Sequence, residues 1–169
     1  MNTNSVTFFQ NEPIVQIPEN NELILAAWQL LNPANIGQII RLGHNVGAKK
    51  VLFINNESFK KSKIKKTAGF SFDQMSWGFI SESEFYSLLN GKMKLVILET
   101  CEGSKNIFCK KLPEKAIILA GNESFGLPPE IIHKSDEKIY IPMPGVCKSM
   151  NISHALTIAA FEWYRQKSG

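Results

Sequence analysis

No run of apolar residues in this 169-residue chain approaches the roughly 20 that a membrane-crossing helix requires. The longest candidate, residues 23–31, is interrupted by Trp28 and Gln29 and reads as a core element. The opening "MNTNSVTFFQNEPIVQIPEN" lacks a basic region ahead of an apolar one, and it lacks a small-residue cleavage site. It therefore does not read as a signal peptide, and the chain is expected to stay in the cytoplasm. Cysteine is scarce: Cys101, Cys109 and Cys147 are odd in number and share no CxxC spacing, which argues against a disulfide framework and a zinc site and leaves three reduced thiols. His44, His133 and His154 each stand without a second ligand at metal spacing, so no metal is expected. The common phosphate fingerprints are missing too. GxGxxG is absent, and neither the Gly121 to Gly126 stretch nor "GHNVGAKK" completes a P-loop. Internal repeats, low-complexity tracts and Pro/Gly-rich linkers are also lacking. The expectation is one domain over residues 1–169, with 1–20 as an N-terminal extension.

What is present fits a globular protein: 44% hydrophobic and 20% charged residues. The net charge of +4 is unevenly placed, because "FKKSKIKK" gathers Lys60, Lys61, Lys63, Lys65 and Lys66. Such a cluster is either a solvated face or a set of phosphate contacts to nucleic acid, which need cations and not base-specific groups.

The elements alternate. "ELILAAWQL" reads as a strand, "NPANIG" as a turn into the helix "IGQIIRLGHNV", and "KKVLFI" as a buried strand, which together form a right-handed parallel unit. A short strand "WGFI" precedes "SESEFYSLL", where Ser81 and Glu84 fit a capping box ahead of a helix. "KLVILET", "KAIILAG" and "EKIYIPM" follow as short apolar strands of the buried parallel kind, with the helix "LPPEII" between the last two. In the closing stretch Ile152, Ala155, Leu156, Ala159 and Trp163 fall at helical spacing. The fold class is α/β, a mainly parallel sheet with helices on both faces. Ligands of such sheets bind beyond the carboxyl ends of the strands, here the loops after Leu98, Ala120 and Met143.

Three stretches could carry chemistry. In "AGNESFGLP" Gly121 allows close approach to the backbone, Glu123 offers a carboxylate and Gly126 permits a tight turn, although a purely structural turn would look the same. In "NPANIGQIIRLGHNVGA", Asn32 and Asn35 suit a helix cap. Arg41 sits among Ile39, Ile40 and Leu42, so its head must reach water, an acid or a site. In "GVCKSMNISHALTIAAFEWYRQ", Ser149, Asn151 and Ser153 precede an apolar stripe; capping needs one of them, which leaves others for solvent or for a ligand.

Taken together, "NPANIGQIIRLGHNVGA", "IILAGNESFGLPPEI" and "IYIPMPGVCKSMNISHALTIAAFEWYRQ" resemble, in order and spacing, the three motifs of the SpoU (TrmH) family of SPOUT RNA methyltransferases. The resemblance covers residues 23 to 166. It implies methyl transfer from S-adenosylmethionine to a ribose 2'-hydroxyl of RNA, with tRNA favoured, on a fold whose C-terminal part forms a deep trefoil knot, a topology general folding rules would reject. It also implies a cofactor site around Leu98, Gly121, Ile141 and Met143, closed by Ser149 and Met150. Arg41 corresponds to the family's catalytic arginine, while Asn35, Glu123, Ser149 and Asn151 match positions that hold the catalytic loop or touch substrate. A homodimer is implied, for which an exposed Phe161 or Trp163 would suit the interface. "SMN" at 149–151 is similar to the short TrmL-like members that act on the tRNA wobble nucleotide. Two alternatives stay open: a ribosomal RNA 2'-O-methyltransferase, and a non-catalytic RNA-binding or assembly protein on the same fold.

Overall fold

A computed structural model describes residues 4–12, 15–55, 59–89 and 91–168. Residues 1–3 and 13–14 of the expected extension lie outside the described part. A short helix α1 (Asn4–Asn11) comes first, followed by β1 (Glu22–Trp28), α2 (Pro33–Val46) and β2 (Lys50–Ile54). The lysine-rich stretch forms α3 (Lys61–Ala68), followed by α4 (Ser71–Gln74), β3 (Trp77–Ile80), α5 (Glu82–Leu88) and β4 (Lys94–Leu98). A two-residue β5 (Lys105–Asn106) precedes β6 (Lys115–Ala120), α6 (Pro129–Lys134), β7 (Glu137–Tyr140) and α7 (Ile152–Lys167). The strands form one sheet in the order β3-β2-β1-β6-β4-β7-β5, and each recorded pairing is parallel.

The strands are apolar on both faces because both faces are covered, as parallel sheets require. Leu23, Leu25 and Ala27 of β1 point with Val96, Ile118 and Phe53 toward a core closed by Ile36, Ile39 and Ile40 of α2, and by Leu156, Ala159 and Trp163 of α7. Ile24, Ala26 and Trp28 point the other way, with Ile97, Ile117 and Leu119, against Phe85 of α5 and Ile131 of α6. One residue of register slip would exchange the two sets, so the alternation fixes the pairing.

Several boundaries differ from the sequence reading. β1 stops at Trp28, where Gln29 turns the chain with φ of 47°. α2 begins three residues before "IGQIIRLGHNV", because Asn32 caps it and Pro33 occupies its first turn; Asn32 Oδ1 accepts from the Ala34 N–H at 2.9 Å. Asn35 is therefore inside the helix and not in a turn. The capping box at Ser81 is present, with the Glu84 N–H donating to Ser81 Oγ and the Ser81 N–H donating to Glu84 Oε2. The elements α1, α3, α4 and β5 went unread: all are short, and α3 has a polar majority that hides its period.

The C-terminal part is threaded. Leu98 of β4 flanks Ile139 of β7 on one side and Lys105 of β5 flanks it on the other, so residues 99–104 straddle β7. The chain leaving β7 passes this bridge and returns as α7, which packs on β6 and β4. Residues 110–113 clasp the end of that helix: the Trp163 indole N–H donates to the Pro113 carbonyl at 2.8 Å, and the Leu112 N–H donates to Gln166 Oε1 at 2.8 Å. This is the knotted arrangement of the SPOUT fold.

Candidate active site

Three loops leave the carboxyl ends of β4, β6 and β7 and meet around a cavity of about 530 Å³. Its walls include all six residues expected around a cofactor: Leu98, Gly121, Ile141, Met143, Ser149 and Met150. Glu99, Asn122, Glu123, Lys148 and Asn151 contribute polar groups. A cleft of this size, lined about equally by polar and apolar surface, suits a ligand such as a nucleoside, which carries both. Gly121 is required by closeness, since a Cβ there would collide with the Gly126 backbone and come within 2.7 Å of the Leu127 nitrogen. The Leu127 N–H donates to Glu99 Oε2 at 3.1 Å, and Thr100 N–H to Glu99 Oε1 at 3.1 Å, so Glu99 ties the first loop to the second.

Asn122, buried, organises the second loop. Its Oδ1 accepts from the Ser124 and Phe125 N–H groups, and its Nδ2 donates to the Gln29 carbonyl at 2.5 Å. The left-handed turn at Gln29 presents that carbonyl, so the end of β1 and the loop after β6 are locked together.

Next to this loop runs a chain of side chains linking all three sequence stretches. Asn35 Nδ2 donates to Glu123 Oε1 at 2.7 Å, and the Leu31 N–H donates to Glu123 Oε2 at 3.3 Å. Asn151 Nδ2 donates to Asn35 Oδ1 at 3.1 Å. Asn151 also caps α7, accepting from the Ser153 N–H at 2.8 Å, and Ser153 Oγ lies 2.7 Å from Gln38 Oε1. Asn35 is only 4% exposed, so its amide depends on these partners. Ser149 is exposed in the loop before the cap and does not cap the helix.

Arg41 lies outside this cavity, in an adjoining groove of about 300 Å³ with Gln38, Leu42, Asn45, Thr67, Thr157 and Phe161. It is exposed and, among the described residues, has no ion-pair partner. Gln38 connects the two places: it borders the groove and meets Ser153, whose neighbour Asn151 lines the cavity. Lys60, Lys61, Lys63, Lys65 and Lys66 are exposed on and just before α3 and border neither cavity nor groove, although Thr67 of the same helix does. Lys65 is engaged with Asp73 at 2.7 Å and lies over the Phe72 ring. Of the two aromatic residues expected at an interface, Trp163 is fully buried and cannot serve, because its indole fills the core beneath α7. Phe161 remains 43% exposed.

Sequence reasoning missed Asn122, Gln38 and Glu99, and it named Ser153 without its partner Gln38. Only Asn122 carried a signal, as an amide between a strand end and the acid of "GNE". Among the described residues no group of His, Cys, Asp and Glu could hold a metal, and no helix is long and apolar enough to cross a membrane.

The chain matches the SpoU rRNA Methylase family over residues 22–161. It is 29% identical over 151 residues to a tRNA (guanosine(18)-2'-O)-methyltransferase of Aquifex aeolicus, covering 86% of this chain and 70% of that one. A solved structure described as giving insight into 2'-OH methylation of C/U34 on tRNA superposes with a TM-score of 0.78 at 27% identity, covering 87% of this chain and 97% of that one. An AdoMet-bound rRNA methyltransferase of Sinorhizobium meliloti shares the fold, with a TM-score of 0.80 at 22% identity; the match covers 89% of this chain and only 58% of that one.

Proposed function

The chain belongs to the SpoU rRNA Methylase family, and from that premise we propose that it transfers a methyl group from S-adenosylmethionine to a ribose 2'-hydroxyl of tRNA. The observation that carries the reading is the hydrogen-bonded line Glu123–Asn35–Asn151, which joins three separate sequence stretches between a nucleoside-sized cavity and Arg41. Size supports tRNA: a relative that this chain nearly matches end to end is described with tRNA position 34.

The cavity suits the cofactor. Leu98, Ile141, Met143 and Met150 offer apolar walls, and the backbone at Gly121 offers polar groups to a base edge. The carboxylates of Glu99 and Glu123 suit a ligand bearing positive charge. When bound there, S-adenosylmethionine supplies an electrophilic methyl group on sulfur. The protein's part is to bring the ribose oxygen into line and to favour its deprotonation. A guanidinium delocalises its charge and gives up its proton reluctantly, so Arg41 acts here as an electrostatic group and not a base. It binds a neighbouring phosphate and stabilises the developing alkoxide. Asn35, Glu123 and Asn151 hold the reacting loops, with Ser149 and Met150 closing the cavity. The lysines of α3 supply phosphate contacts. Phe161, beside Arg41, marks the face on which a second copy would dock, and the enzyme works in the cytoplasm as a homodimer.

The test is methyl transfer from labelled S-adenosylmethionine to unmodified total tRNA, followed by nucleoside mass spectrometry. A 2'-O-methylated nucleoside is expected, lost in Arg41→Ala. Arg41→Lys should retain RNA binding and lose most turnover, since a point charge lacks the planar fork. Full activity in that variant would remove Arg41 from its role. Transfer only to ribosomal RNA would correct the substrate, and absence of cofactor binding would leave an RNA-binding protein on a methyltransferase fold.

A further inference from the structure

Phe70 is 75% exposed at the turn that ends α3, where Gly69 takes φ of 59° to reverse the chain. A lone exposed aromatic is unremarkable, but this ring is placed by its surroundings. His44 of α2 lies against it, with ring centroids 5.9 Å apart and an interplanar angle of 35°. His44 is itself held by Ser71, Nδ1 to Oγ at 3.0 Å, so the ring pair is fixed to two elements. It stands one helical turn from Arg41, on the same exposed face of α2. Helical spacing carries Lys60 and Lys63 onto the flank of α3 that also bears Thr67, and Thr67 borders the groove of Arg41. Lys61 and Lys65 fall on the opposite flank, where Lys65 is already paired with Asp73.

We propose that Phe70, backed by His44, is a stacking platform for an unpaired RNA base, and that Lys60 and Lys63 hold the phosphates of the same strand as it runs toward Arg41. This rests on the RNA methyltransferase reading and adds to it a recognition subsite distinct from the cofactor cavity. The physical case is the conjunction of a flat exposed ring with two exposed cations, Lys60 and Lys63, on the flank that faces the groove of Arg41. Aromatic stacking accepts any base, while lysines follow the backbone, and single-stranded nucleic acid is bound by that combination. A rigid duplex would present phosphates to the lysines and no free base to the ring.

The experiment measures binding of a labelled single-stranded RNA and of a blunt RNA duplex by fluorescence anisotropy, for the full chain and for Phe70→Ala and Phe70→Trp. Binding of S-adenosylmethionine, followed by calorimetry, reports folding. Phe70→Ala should weaken single-strand binding about 5- to 150-fold, the range expected for one lost base stack. Duplex and cofactor binding should hold, and Phe70→Trp should restore the single-strand affinity. Single-strand binding by Phe70→Ala within twofold of the parent would overturn the platform while leaving the methyltransferase reading intact. An equal loss on duplex and single strand would also overturn it, since stacking is then not what the ring supplies. No RNA binding by the parent protein would sink both.

Discussion

Asn35 holds two elements with one amide, donating to Glu123 and accepting from Asn151. A buried amide left without a partner costs about 1–3 kcal/mol, so the two ends of this contact are open to direct measurement. Glu123→Ala strands Asn35 Nδ2 and should lower stability by about that amount, read as the urea midpoint, along with a large loss of methyl transfer. Glu123→Gln keeps one acceptor oxygen for Asn35 and gives up the one facing the Leu31 N–H, so it should fall between the parent and Glu123→Ala. Equal urea midpoints for all three would mean that the carboxylate does not hold the site together. At this scale the sequence named Asn35, Glu123 and Asn151 but not their order of contact, because hydrogen bonds across 88 and 116 positions leave no local trace. Gln38 looks in the sequence like any polar residue on an amphipathic helix, and Ser153 reads only as one of three polar residues before an apolar stripe, so only folding shows that they meet.

The contact of α2 with α3 decides where the lysines stand relative to Arg41. It is close because Gly37 has no side chain: a Cβ there would collide with Thr67 Oγ1 and lie 2.5 Å from the Ile64 carbonyl. Thr67 Oγ1 lies 3.2 Å from both the Ala34 and Ile64 carbonyls, so the hydroxyl reaches across the same seam. Gly37→Ala should force the two helices apart at a cost of about 1–3 kcal/mol, despite the higher helix propensity of alanine. A thermal melt that rises, as propensity alone predicts, would show that the seam yields freely. The strands and the two long helices were legible because each repeats its pattern long enough to be seen. β1 carries an unbroken buried run, and α7 repeats its stripe over four turns. α3 escaped because only Ile64 and Ala68 are buried, too few to reveal a period, and β5 because two residues have none. Helix starts were misplaced where Pro33 reads as a turn but in fact opens the helix.

At the scale of the whole molecule, three carboxylates among the described residues are held below their ordinary range and link stability to acid. At Glu162 the bidentate Arg165 contact outweighs burial. At Glu84 the Ser81 N–H and hydroxyl of the capping box do so. At Asp136 burial opposes ionisation, but Lys94 Nζ and the Leu95 N–H prevail. A depressed folded pKa gives stability that is present above the unfolded value, near 4, and is lost as pH falls through the folded one. The melting temperature should therefore hold level from about pH 7 to 5 and drop progressively below about pH 4, with Asp136→Asn flattening part of that fall. A profile as steep in Asp136→Asn as in the parent would exclude that residue. The global topology was available only by resemblance, since threading leaves no mark on residue patterning. Yet the threading settles something about the cavity. The wall at Ser149 to Ile152 belongs to the segment that has passed the bridge over β7, whereas the walls at Leu98 and Gly121 do not. A chain collapsed with its strands in place but its tail not passed through has half a pocket. A molecule occupying the finished pocket sits against the very stretch that must retreat first for the chain to come undone, so the cavity serves as a latch on the protein's own entanglement.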